Sequence, residues 1–200
     1  LTSNDKSSGS IANRVIGSIT PVLCLSYMKK HLSATKRALG ELRYTYNGKD
    51  ISSYETHEFK HILLSDKANI VEHVKNHAYL KFHIELLIEK LESPHQLKSF
   101  IESHEERLKL QLQRVYRARC DIVHSAELLV SPALLCANLE FYLKHTLRRV
   151  LDTIVIDTHI KSTQEFFKNA SFQYQLLLKD LGCNKTDEFT HCLKRNVMSF

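Results

Sequence analysis

Between Arg107 and Arg119 every charged residue is basic: Arg107, Lys109, Arg114, Arg117 and Arg119, and the run closes on Asp121 and His124. These side-chain types suit work on a phosphate ester. A guanidinium presents a rigid fork of donors that matches phosphate oxygens. Imidazole is the side chain that changes charge nearest neutrality, so it can take up or release a proton in a transition state. Arg107, Lys109, Arg114 and Arg117 form a local basic stripe that could hold a polyanion along its backbone, and His124 brings an imidazole suited to proton transfer near neutrality. The spacing sharpens this. Leu97, Ile101, Leu108, Leu112, Val115 and Ile122 form one apolar helical stripe, and Arg119 falls in phase with it. A cation there must send its head to water, a polar cleft or an interface. Five residues on a regular helix turn through about 140°, so Arg119 and His124 share a site only if the helix ends between them or a second copy completes it. Arg117, about two turns before His124, shares its face and is an alternative phosphate ligand.

A second constellation is His57-Glu58-Phe59-Lys60-His61, which matches H-E-x-x-H. On a helix His57 and His61 fall on one side, where they could hold zinc with Glu58 as general base. Lys60 places a cation in the same turn, and no third ligand follows at a characteristic spacing. We therefore keep the zinc-peptidase reading as an alternative only. His73 and His77, with His83 nearby, are a further pair at metal-ligand spacing. There is no glycine-rich phosphate loop of either dinucleotide or nucleoside triphosphate type, and no cofactor is expected.

The elements that must position these residues are helical. Five glycines and three prolines in 200 residues leave little material for tight turns. The pattern predicts a helix from Ile11 to about Ala38, started or kinked by Pro21 and stopped near Gly40. Leu42, Tyr44 and Tyr46 then alternate into Asn47-Gly48, a hairpin signal. Leu80, Ile84, Leu87, Ile88 and Leu91 mark the next helix. Ser93-Pro94-His95-Gln96 supplies a cap, a first-turn proline and a capping-box glutamine for a long helix carrying the basic run. Ser131-Pro132 starts a helix with Leu135, Leu139, Tyr142, Leu147, Val150, Leu151 and Ile154, and Ser162 to Glu165 starts one that Gly182 should end. The expected fold is all-α, a bundle of about five main helices with a short β-hairpin near residues 42–51. Residues 1–10 are expected to be a disordered linker, and 11–200 one helical domain, best supported over 94–160.

A net charge of +6 and a pI near 9.0 fit a polyanionic partner. Five cysteines without a close pair fit a reducing, cytoplasmic setting. No run of about 18 to 20 consecutive apolar residues is present, so no membrane partner is expected.

Arg119-Cys120-Asp121-Ile122-Val123-His124 resembles the arginine, four residues, histidine motif of the HEPN superfamily. Val115-Tyr116-Arg117 before it and Ser125 after it resemble the Apea-like branch. Cys120 stands where that family most often has Asn. The resemblance covers roughly Leu97 to Ile154. It implies a metal-independent endoribonuclease acting as a homodimer, in bacterial antiviral defence or toxin-like RNA cleavage, restrained by a regulatory domain or an antitoxin. By that resemblance His124 would be the general acid or base and Arg119 the stabiliser of phosphate charge, with Asp121 orienting either one. A non-catalytic module of the same fold, binding RNA, nucleotide or protein, is the other class of function implied.

Overall fold

A computed structural model describes residues 4–125, 132–157 and 159–194. The fold is all-α with one short hairpin, as expected. The described helices are α1 (Asn4–Glu41), α2 (Thr56–Ser65), α3 (Lys67–His73), α4 (Ala78–Glu92), α5 (Pro94–Ser125), α6 (Pro132–Ile156), α7 (Thr163–Gly182) and α8 (Asp187–Lys194), with a 3-10 turn at Ile51–Ser53. Three of them, α2, α3 and α8, are short helices added to the five main ones expected.

The chain divides into two compact units. One comprises Leu1–Cys24 and Glu102–Tyr174, the other Leu25–Ile101 and Gln175–Asn196, so α1, α5 and α7 are each divided between them. In the first unit the core takes Ile16, Leu23, Leu108, Leu112, Phe166 and Tyr174. The Tyr174 hydroxyl donates to Glu105 Oε2 at 2.7 Å, and Lys109 Nζ pairs with Glu105 Oε1 at 2.5 Å. In the second unit α2 packs against α3, α4 and α8. Ile84, Leu87, Ile88 and Leu91 of α4 are buried, each contributing roughly 1.5–3 kcal/mol.

The serine caps act as read, whereas the capping boxes do not close: the Gln96 side chain faces Glu89, and Glu165 accepts from the Lys161 amide at 2.8 Å. The Gln96 amide donates to Ser93 Oγ ahead of α5, and the Glu165 amide donates to Ser162 Oγ ahead of α7. Ser131 lies outside the described residues. Strands β1 (Thr45–Tyr46) and β2 (Lys49–Asp50) pair antiparallel around Asn47 and Gly48, both at positive φ. The Tyr44 hydroxyl donates to Asp66, anchoring the hairpin.

Other elements depart from expectation. Helix α1 begins at Asn4, inside the stretch read as linker, because an established helix extends by one hydrogen bond per residue fixed. It also continues through Pro21, whose missing N–H leaves only the Gly17 carbonyl without its helical donor. Gly182 is the last residue of α7 and leaves room for Lys98, whose Nζ lies 3.3 Å from where a Cβ would stand, while Asn184 takes the left-handed conformation beyond it. By length and composition the segment Ile11–Glu41 would also suffice to cross a membrane. Counting uninterrupted apolar residues did not register it, since Arg14 and several small polar residues break the run.

Candidate nucleic-acid interface

Helix α5 is continuous from Pro94 to Ser125, so no helix end falls between Arg119 and His124, and the two lie about 140° apart on one chain. Arg119 is exposed, so the cation in the apolar phase reaches water. Leu97, Ile101, Leu108 and Leu112 are buried, Val115 is half-buried, and Ala118 is the last buried residue of the helix. Arg119, Asp121, Ile122, Val123 and His124 are all exposed. The apolar phase runs on past Ala118, but no described element covers the end of α5.

That exposure reveals a different alignment. Arg107, Leu110, Arg114, Arg117, Asp121 and His124 follow one another at steps of three and four residues, and every one is exposed. They make a single outward stripe about 25 Å long. None of its charged side chains, nor Arg119, is joined to another described residue by an ion pair or side-chain hydrogen bond. Three guanidinium groups and an imidazole against one carboxylate make the stripe an uncompensated basic surface. Lys109 lies off it and is held by Glu105. Asp121 sits about one turn from both Arg117 and His124, within reach to orient either.

Sequence reasoning placed Arg117 with His124 but missed that Arg107, Leu110 and Arg114 continue the same line. The alternating three- and four-residue steps were the signal. Leu139, Leu147, Leu151 and Ile154 are among the apolar residues that marked α6 in the sequence. In the structure only Thr146 and Val150 of α6 are buried, while Leu139, Leu143, Leu147 and Leu151 form an exposed ladder, Leu151 at 62%. On the inner side, Thr146 Oγ1 and Asp152 Oδ2 are buried without a hydrogen bond to a described residue. Val150 is the buried apolar side chain of the helix, and Arg148 Nε lies 3.9 Å from Asp152 Oδ2. The Tyr142 hydroxyl of α6 donates to Gln111 of α5.

The zinc constellation is differently built. His57 is half-buried and His61 exposed on one side of α2. Glu58, however, accepts the Glu55 backbone amide at 2.8 Å and closes a capping box. Lys60 is buried, its Nζ 4.8 Å from the centre of the Phe189 ring of α8, and burial holds its amine below the ordinary lysine range. Among the described residues no group of three or more His, Cys, Asp or Glu could hold a metal ion. His73 and His77 are not on a common helix, because α3 ends at His73, whose ring meets Tyr44 and whose Nε2 lies 3.1 Å from the Leu42 carbonyl oxygen. A cleft of about 470 Å³ lined by Gly17, Ser18, Thr163 and Lys168 contains none of the predicted site residues. Comparison with family models, curated proteins and solved structures gave no match.

Proposed function

We propose that this chain is a metal-independent endoribonuclease of the HEPN type that works as a pair of copies in the cytoplasm, in defence or toxin-like RNA cleavage. The observation that carries the proposal is the exposed stripe of Arg107, Arg114, Arg117 and His124, whose charges are not taken up by ion pairs with described residues. Structural arginines are commonly held by carboxylates; these are presented to solvent in line with an imidazole. RNA supplies its own nucleophile, so the protein need only hold an anion and move a proton. In this reading His124 accepts the 2'-hydroxyl proton or delivers one to the departing 5'-oxygen. The bond formed joins the 2'-oxygen to phosphorus and the bond broken frees the 5'-oxygen, leaving a 2',3'-cyclic phosphate and a 5'-hydroxyl. Arg117 neutralises the phosphate on the same face, and Arg119 does so from a second copy.

The α6 ladder supports the second copy. Exposed apolar patches of more than roughly a few hundred Å² mark interaction surfaces, and a two-fold axis lets one such helix meet itself. Cleavage of a labelled RNA in EDTA is expected, and its loss in His124→Ala. Testing Arg117→Ala and Arg119→Ala separately identifies the phosphate ligand. Cleavage that requires a divalent ion, or survives His124→Ala, contradicts the proposal. RNA that is bound but never cut, with binding weakened by Arg114→Ala, would favour the non-catalytic module instead; the separation of Arg119 from His124 on one chain is the observation on its side.

A further inference from the structure

In the second unit two histidines on different helices face each other. His31 of α1 and His83 of α4 are both half-buried, with ring centroids 5.5 Å apart and planes 29° from parallel. Tyr27 meets His31 edge-on at 4.5 Å, and Phe100 of α5 stands 5.9 Å from it and 5.3 Å from Tyr27. The wall around His31 is therefore aromatic. The charged or titratable groups that bear on it are His83 across the helix contact and Lys30 beside it on α1; α5 brings Phe100, which carries no charge. Neither basic neighbour can compensate a charge on the ring.

We propose that the His31–His83 pair is a proton-triggered release, in which uptake of a proton by the facing rings in mildly acidic solution loosens α4 from α1. The inference is independent of the ribonuclease reading. Two neutral imidazoles stack at no electrostatic cost, whereas a proton on His31 is held partly away from water beside two basic neighbours. Burial first, then His83, then Lys30 hold His31 below the ordinary histidine range. The unfolded or opened chain therefore binds more protons than the closed one over that interval. The closed contact is favoured above the ordinary histidine range and is lost as pH falls through the depressed value.

The test is amide hydrogen exchange of α4 in the full chain at pH 7.5 and 5.5, corrected for intrinsic rates, with the histidine ring protons followed by NMR titration. Wild type should lose protection in α4 on going from pH 7.5 to 5.5, by no more than the ratio of the His31 proton affinities in the opened and closed states. His31→Phe keeps a ring in the contact and should remove most of that loss. His83→Phe removes the second cause of the depression and should raise the His31 value only in part, since burial, the largest cause, remains. An ordinary-range titration of His31 in wild type overturns the proposal, as does an equal acid response in wild type and His31→Phe. The wild-type titration decides the matter even if a variant fails to fold.

Discussion

Helix α2 and the end of α5 each set histidines among charged residues in helical register, and the structure uses them in opposite ways. In α2, Glu58 is engaged at the helix start and Lys60 is sealed beneath Phe189 of α8. At the end of α5, by contrast, Arg114, Arg117, Arg119 and His124 stand exposed with no ion pair to a described residue. A motif's letters do not distinguish these cases; what each side chain is already bonded to does. The first region is engaged within the fold, and the second is not held by any described residue.

The comparison breaks most readily at His124. Replacing it with Ala should lower RNA cleavage by about 10²- to 10⁴-fold, the range of general acid–base catalysis, while an exposed site should shift stability by no more than about 0.5 kcal/mol. Unfolding curves run beside the cleavage assay check both halves. The mirror experiment is Phe189→Ala, which uncovers Lys60 and should cost about 3–5 kcal/mol in denaturant unfolding with RNA affinity unchanged. Leu147→Glu, at the centre of the α6 ladder, should turn a dimer into a monomer in sedimentation and reduce cleavage with it, leaving helical content unaltered. The smallest effect belongs to Glu58→Ala, which should lose about 1 kcal/mol from the α2 cap and leave activity unmoved by added zinc. A zinc-dependent activity abolished by Glu58→Ala would reverse the assignment of the two regions.

Much of the fold was legible because its signals are local. Ser93-Pro94, Ser162 with Glu165, and Asn47-Gly48 act within a few residues, and the α4 stripe is long enough to show its period. Helices α2, α3 and α8 are too short to sustain a period, and their burial depends on each other. The site was legible in part, for one physical reason that applies twice. Periodicity reports the phase of a residue on its helix, not whether another element lies over that phase. Arg119 is in phase with Leu112 and Leu147 lies one residue from buried Thr146, yet Arg119 and Leu147 are exposed, because no described element lies over them. The same consideration bears on Cys24, which lies deep in the first unit, where burial pushes its thiol up to about 12 and removes it from candidate nucleophiles.

The central claim is that the end of α5 uses the substrate's own 2'-hydroxyl, and one oligonucleotide pair tests it. An RNA with a mapped cut site is compared, in EDTA, with the same strand carrying a 2'-deoxy nucleotide immediately 5' of that site. The deoxy strand should resist cleavage at that position alone, and the unmodified strand should yield a 2',3'-cyclic phosphate. Cutting at the deoxy position, or wild-type protein that binds the RNA without cutting either strand, would contradict it.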